Sequence, residues 1–177
     1  MLPVILAAVV LLAGGLLAYA ATRPDHFRIE RAVSIDAPPE RIFPLIDDFH
    51  AWEAWSPWET IDPQLIRTYS GATAGRGAIY EWNGNRQVGR GRMEIVASEA
   101  PQRVEIRLDF MVPFEAHNTV EFTLEPMGGA TRVRQAMFGP SPLLSRLMGL
   151  VFSMDKMVGG KYEEGLARLK ALVESRP

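Results

Sequence analysis

Three polar side chains interrupt the apolar faces of the predicted elements and could hold a ligand or act in acid–base chemistry. Asn118 and Gln135 fall on the apolar side of two alternating segments, and Asp155 falls within an apolar helical stripe. Burying such a group without a hydrogen-bond partner costs about 1–3 kcal/mol, so each should meet a neighbour, a water or a ligand. Polar groups facing one apolar space are typical of a small-molecule pocket. Alternatively, the two amides satisfy each other or nearby backbone, and Asp155 lies in water at the edge of the stripe.

The sequence offers few other groups for chemistry. Its 177 residues contain no cysteine, so disulfides, zinc–thiolate sites and thiol nucleophiles are excluded. The three histidines, His26, His50 and His117, have neither metal-binding nor Ser-His-Asp spacing, and His117 falls on the polar side of its segment. The glycines match neither nucleotide-binding loop pattern. We therefore predict no metal, no cofactor and no identifiable catalytic residue.

The charge distribution argues against nucleic acid as a partner. The net charge is −2, from 19 basic and 21 acidic side chains that are interleaved along the chain. Proteins that bind nucleic acid normally carry a basic excess or a basic stripe, because phosphate contacts supply most of their affinity.

The central part of the chain has the period-two alternation of half-buried strands. In residues 103–110 the apolar side chains are even-numbered and the charged ones odd-numbered, and residues 115–125 and 131–138 also alternate. An antiparallel meander with one wet face and one buried face follows from this pattern. Asn83-Gly84 predicts a hairpin turn. Further strands are predicted at Phe27–Ile35, Leu65–Ser70, Gly77–Trp82 and Val88–Ser98.

Two short helices are predicted between the first two strands. Residues 36–40 combine an acidic cap with prolines in the first turn, and Pro44 should distort or shorten the helix that follows. Trp52, Trp55 and Trp58 are three residues apart, so their rings share one face of a short helical or 3₁₀ segment.

The C-terminal part predicts one long helix. Ser141-Pro142 is a helix start, and apolar residues then recur at steps of three or four as far as Val173. Asp155 lies about 40° from Val151 on this stripe. Gly159-Gly160 should loosen or bend the helix midway.

The N-terminal segment predicts a membrane anchor. Met1–Ala21 contains no charged residue, and a helix of this length is roughly 30 Å long, the thickness of a bilayer's hydrocarbon core. We therefore divide the chain into a transmembrane segment, residues 1–22, and one domain, residues 23–177. A cleaved signal peptide is the alternative, because Ala18-Tyr19-Ala20 could serve as a cleavage site.

The first basic residues indicate the orientation of the anchor. Arg23, Arg28 and Arg31 all follow the apolar segment, and the positive-inside rule keeps such a side in the cytoplasm. The domain of a single-pass protein would then be cytoplasmic. Cleavage of the N-terminus would instead make it periplasmic or secreted.

Several segments resemble the SRPBCC superfamily, which includes START, Bet v 1 and polyketide cyclase/dehydrase-like domains. They are residues 34–43, residues 52–58 with Asp62-Pro63, residues 80–85, residues 113–116 and residues 160–166. The resemblance covers about Phe27 to Val173. It implies an α+β helix-grip fold, in which a curved seven-stranded antiparallel sheet surrounds a long C-terminal helix, with a deep apolar cavity between them. It implies no catalytic residue, because the superfamily shares none.

We therefore predict a membrane-anchored domain that binds a hydrophobic small molecule or lipid without covalent chemistry. The alternatives are an enzyme of the cyclase or dehydratase type, in which Asp155, Asn118 or Gln135 orients the substrate, and a co-chaperone-like module that binds a protein partner. The predicted cavity residues are Trp55, Tyr80, Phe110, Asn118, Gln135, Met137, Met148, Val151 and Asp155.

Overall fold

The computed structural model describes residues 2–149 and 153–175 of the chain. The helices are α1 (Leu2–Ala21), α2 (Pro39–Asp47), α3 (Leu143–Met148) and α4 (Met154–Glu174), and two 3₁₀ helices cover Phe49–Ala54 and Pro57–Thr60. The strands are β1 (His26–Ile35), β2 (Ile66–Gly71), β3 (Ala78–Asn83), β4 (Arg90–Glu99), β5 (Arg103–Val112), β6 (Ala116–Met127) and β7 (Ala130–Pro140).

The seven strands form one antiparallel sheet in the order β1-β7-β6-β5-β4-β3-β2. Strands β2 to β7 are therefore the predicted meander, and β1 pairs with β7 at one edge. The alternation places the even-numbered apolar residues of β5 on the inner face, where Val104 and Ile106 are fully buried. The sheet and the C-terminal helix together have the predicted helix-grip arrangement.

The sheet bends where β4 is irregular. Its pairing with β5 shifts register between Arg90 and Gly91 and again between Ile95 and Ala97, and such bulges bend a strand. Gly91 also lies directly under the Trp82 ring, so a side chain at this position would collide with the indole. Glycine is therefore required where the ring crosses the strand.

The predicted turn at Asn83-Gly84 is longer than two residues. The backbone N–H of Gly84 donates to Gly89 O at 2.9 Å, and residues 84–89 form the connection to β4. The buried carboxylate of Asp62 accepts the backbone N–H of Asn85 at 2.6 Å, which holds this longer loop against the preceding segment.

Two tryptophans fix the 3₁₀ segments against the end of α2. The indole N–H of Trp52 donates to Ile46 O at 3.0 Å, and that of Trp55 donates to Leu45 O at 2.9 Å. The last carbonyls of a helix have no partner within it, so these indoles satisfy groups that would otherwise be buried and unpaired. The helix itself continues past Pro44 to Asp47.

The single long C-terminal helix of the prediction is wrong. The structure has a short α3 and a separate α4, whose buried stripe includes Val158, Tyr162, Leu166 and Leu169. Residues 150–152, which include the predicted Val151, lie outside the described part of the chain.

Gly159 and Gly160 do not interrupt α4, which runs through both residues, and a bend at this point stays a prediction. A side chain at Gly159 would collide with the guanidinium of Arg31. The glycine therefore lets β1 and α4 approach closely.

The N-terminal segment is helical over Leu2–Ala21 and contacts α3. Within residues 2–149 and 153–175, no helix meets the combined length and hydropathy expected of a membrane span. The prediction of a transmembrane anchor is thus not supported.

Candidate functional site: an apolar cavity under helix α4

A cavity of about 320 Å³ lies between the inner face of the sheet and α4. Most of its wall is apolar. Leu108, Val120 and Met137 contribute from the strands, Val158 from α4, and Trp55 from the end of the first 3₁₀ segment. A concave apolar space of this volume is within the range of small-molecule sites.

The exposed lining residues mark the mouth of the cavity. Met154 and Met157 lie in the first turns of α4, and Val112 and Pro113 lie at the connection from β5 to β6. All four are exposed to solvent, whereas Val158, Tyr162 and Gly165, which line the cavity farther along α4, are buried. Thioether side chains at an entrance are adaptable, because methionine has several rotatable bonds.

One polar group of the wall is a buried carboxylate held by two neighbours. Glu59 is 7% exposed, and its Oε1 accepts the Tyr80 hydroxyl proton at 2.8 Å. Its Oε2 accepts the Arg67 Nε–H at 2.6 Å, and Arg67 also donates to the Glu59 backbone carbonyl at 2.9 Å. The carboxylate is thus charge-paired and hydrogen-bonded on both oxygens, as a buried charge requires.

Burial keeps the phenols of this region protonated. It raises the pKa of Tyr80 well above its usual value, and the nearby negative charge of Glu59 raises that pKa further. Burial likewise raises the pKa of Tyr69 to about 12, again with a smaller contribution from Glu59. At neutral pH, Tyr80 is therefore a neutral donor to the carboxylate.

A second polar pair lies across the cavity, between β7 and α4. Gln135 and Tyr162 both line the space and each is 5% exposed. Burial raises the pKa of Tyr162 strongly, and the polar Gln135 amide beside it opposes this rise. The Gln135 carbonyl oxygen, Oε1, has no hydrogen-bond partner among the described residues.

Six predicted cavity residues lie together in the wall. They are Trp55, Tyr80, Phe110, Asn118, Gln135 and Met137. Asn118 packs against Gly139, where a side chain would collide with the amide oxygen. Asn118 and Gln135 do not satisfy each other, because the Gln135 Oε1 has no hydrogen-bond partner among the described residues. Ligand binding by these residues stays a prediction.

The placement predicted for Asp155 and Met148 is wrong. Asp155 lies in the first turn of α4 with its side chain 62% exposed, outside the cavity lining. Arg31 binds it with two hydrogen bonds, Nη1 to Oδ1 and Nη2 to Oδ2, each 3.0 Å long. These bonds, followed by the charge of Arg31 itself, lower the pKa of the Asp155 carboxyl. Met148 is an exposed residue of α3 and does not line the cavity.

Sequence reasoning did not single out Glu59, Arg67 or the hydroxyl of Tyr162. One signal was present for Arg67, which occupies the same alternate positions as Leu65 and Tyr69. A cation on the inward side of a strand requires a carboxylate partner. Nothing in the spacing indicates which of the 21 acidic residues supplies it. Tyr162 was recognised only as part of an apolar stripe.

Metal ligands do not cluster in this structure. Among the residues that it describes, no group of three or more histidine, aspartate and glutamate side chains could hold a metal ion. His117 is exposed as predicted, and its Nδ1 lies 2.7 Å from Asp109 Oδ1 on the outer face of the sheet.

A curved antiparallel sheet closed around an apolar cavity by a C-terminal helix defines the helix-grip class of ligand-binding folds. The chain belongs to the family described as "Polyketide cyclase / dehydrase and lipid transport", which matches residues 26–174. No curated protein matches the sequence.

Solved structures share this fold at low sequence identity. Protein MLL2253 from Mesorhizobium loti has a TM-score of 0.61 and 18% identity, over 85% of this chain and 99% of its own. Protein CV1439 from Chromobacterium violaceum has a TM-score of 0.58 and 17% identity, over 86% and 99%. Ara h 8.0201 has a TM-score of 0.60 and 14% identity, over 85% and 99%. Similarity at these identities concerns the fold alone.

Proposed function

We propose that this protein binds a hydrophobic small molecule or lipid in the cavity beneath α4, without covalent chemistry of its own. The observation that carries this proposal is the cavity, an apolar space of about 320 Å³ with an exposed apolar mouth. Transfer of apolar ligand surface from water into such a space supplies about 25 cal/mol per Å². The family description, which includes lipid transport, agrees with this use.

The polar groups of the wall support binding over catalysis. Both oxygens of Glu59 are already engaged by Arg67 and Tyr80, so this carboxylate is positioned as a structural charge. Asp155, the acid that the sequence offered for catalysis, is exposed and paired with Arg31. A general acid or base must lie within hydrogen-bond reach of its substrate, and Asp155 lies outside the cavity.

A cyclase or dehydratase is the second candidate, and one observation favours it. The Tyr80 hydroxyl and the Glu59 carboxylate form a 2.8 Å hydrogen bond in the cavity wall. A phenol beside a carboxylate is an arrangement that can exchange a proton with a bound carbonyl or enol. Turnover of a polyketide-like chain by the wild type but not by Tyr80→Phe would favour this candidate.

The protein-partner alternative has less support on the sheet. The outer face of β4–β6 is covered by paired charges, including Arg103 with Glu121 at 2.9 Å and Arg92 with Glu94 at 2.8 Å. A docking surface for a stable partner usually presents an apolar patch instead.

We further propose that α1 attaches the protein to a membrane. Its described side chains include the exposed Ile5, Leu6, Leu11 and Leu12, and an apolar surface of this kind favours lipid over water. The arginines that follow support a cytoplasmic position of the domain.

Fractionation tests the proposed membrane attachment. Wild type should remain with membranes in high salt, and Leu11→Arg/Leu12→Arg should not. Thr22→Arg, an exposed change at the helix end, is the control, and a wild type found entirely in the soluble fraction would overturn the proposal.

Displacement of a fluorescent hydrophobic dye tests binding in the cavity. Ala116 lines the cavity near its mouth, so Ala116→Phe places a ring inside it and should weaken dye binding. His117, the next residue, faces solvent, and His117→Phe adds a similar ring on the outside as a matched control. Equal dye binding by both variants and the wild type, with unchanged thermal unfolding, would contradict the proposed site.

A further inference from the structure

The pair formed by Gln135 and Tyr162 leaves hydrogen-bonding capacity unused in the cavity wall. Gln135 projects from β7 and Tyr162 from α4, and both are more than nine-tenths buried in the cavity wall. The Gln135 amide lies beside the Tyr162 hydroxyl. Its Oε1 is left without a partner in the described structure. A buried acceptor without a partner is costly, so this atom calls for a donor from a bound molecule.

The Tyr162 hydroxyl supplies the complementary group. Burial raises its pKa, so the phenol keeps its proton at neutral pH. The phenolic proton has no acceptor among the described residues, so the hydroxyl is free to donate it to a bound molecule. The pair therefore presents an acceptor and a donor next to each other, which matches the single hydroxyl group of an alcohol or phenol.

The polar cluster of Glu59, Arg67 and Tyr80 does not offer a free donor beside a free acceptor. The Tyr80 proton is given to Glu59, and the second oxygen of Glu59 is taken by Arg67. An anionic ligand head is disfavoured at Gln135, because it would bring a charge against an amide oxygen in an apolar space. A neutral hydroxyl places no charge against the amide oxygen and can donate a hydrogen bond to it.

We propose that the ligand is an apolar molecule with a hydroxyl group, and that this hydroxyl donates to Gln135 Oε1 and accepts from Tyr162. This inference rests on the proposed binding function and names the chemical class of its ligand. The remaining wall, formed by residues such as Leu108, Val120 and Met137, would contact the hydrocarbon part.

A matched pair of probes tests the inference. The affinities of 4-butylphenol and butylbenzene, which differ by one hydroxyl, are measured by displacement of a hydrophobic dye. In Gln135→Leu, the affinity for 4-butylphenol should fall about tenfold, because the hydroxyl then has no acceptor. Butylbenzene should bind as well as before or better. Tyr162→Phe removes only the donor and should give a smaller selective loss.

Met137→Leu is the control, because Met137 faces the cavity two residues along the same strand and carries no hydrogen-bonding group of this strength. It should change the two affinities by the same factor. Equal changes for both probes in Gln135→Leu would overturn the inference while leaving the cavity as a binding site. If neither probe displaces the dye from wild type, and Ala116→Phe also binds the dye normally, the proposed function fails together with the inference.

Discussion

The hydroxyl of Tyr80 donates a 2.8 Å hydrogen bond to the buried carboxylate of Glu59, and this bond joins strand β3 to the second 3₁₀ helix. Arg67 completes the cluster from the edge strand β2, 2.6 Å from the other carboxylate oxygen. Three separate elements thus meet at one charge in the cavity wall. The stability of this wall depends on keeping that charge paired.

Removal of the cation should destabilise the protein more than removal of the phenol. Arg67→Met leaves a buried carboxylate without its counterion and should lower the free energy of unfolding by about 3 kcal/mol. Tyr80→Phe removes one hydrogen bond and should cost about 1–2 kcal/mol. Urea unfolding measures both. Thr68→Val, an exposed change on the same strand, should have little effect, and a smaller loss for Arg67→Met than for Tyr80→Phe would contradict the pairing described here.

The Arg31–Asp155 pair should affect the acid stability of the protein and leave ligand binding unchanged. The folded-state pKa of Asp155 is lowered, chiefly by hydrogen bonds from Arg31, so the carboxylate stabilises the fold above its ordinary pKa of about 4. That contribution is lost as the pH falls through the lower, folded-state pKa. Asp155→Asn should therefore reduce the melting temperature at pH 6 and bring it closer to that of wild type as the pH falls toward 2.

A double-mutant comparison separates this pair from other effects. Arg31→Gln should change the pH dependence of the melting temperature less in the Asp155→Asn background than in wild type. The reason is that the two residues share one interaction. Dye affinity should be the same in Asp155→Asn and wild type, since Asp155 lies outside the cavity. A large loss of dye affinity would place this carboxylate in the binding site after all.

Gly91 should tolerate no side chain. A methyl group there would meet the Trp82 ring and the backbone carbonyl of Asp109 at distances too short for any Cβ contact. Overpacking of this kind costs about 1–3 kcal/mol, so Gly91→Ala should lower the melting temperature and alter the near-ultraviolet circular dichroism of Trp82. Gly129→Ala provides the matched control, because its methyl group would project into open space. Equal melting temperatures for the two variants would show that the indole does not cover Gly91.

Ligand entry should quench the intrinsic fluorescence of the protein. All four tryptophans, Trp52, Trp55, Trp58 and Trp82, line the cavity. A brominated alkane such as 1-bromodecane should therefore quench most of the emission at saturation, because bromine quenches indoles that it contacts. Decane, which lacks the heavy atom, should bind without this quenching. Ala116→Phe should need more of the bromoalkane, and uniform quenching in this variant and wild type would indicate binding elsewhere.

Alternation in the sequence determined the inner face of the sheet. A strand sends successive side chains to opposite faces, so the parity of Val104 and Ile106 is sufficient to bury them, and the same rule brings Asn118 and Gln135 to the cavity. No knowledge of the neighbouring elements is needed for such an assignment. It holds wherever a strand is regular and one of its faces is covered.

The position of Asp155 could not be obtained in this way. Its predicted place on the stripe was measured from Val151 on the assumption of one continuous helix, and a helical angle carries over only while the helix is unbroken. The structure begins α4 at Met154, so the earlier residues give no reference for it. Arg31, on the strand across from this turn, then holds the carboxylate outside the cavity.

The sequence by itself determined the succession of the seven strands and the inward face of each regular strand, because these follow from local periodicity. The apolar cavity was implied by the resemblance to the SRPBCC superfamily. Only the tertiary structure decided which polar side chains meet. Glu59, Arg67 and Tyr80 come from three elements, and Gln135 and Tyr162 enter the cavity wall from β7 and α4. These contacts depend on how the sheet bends and where α4 begins. Both features are set by packing across the whole domain.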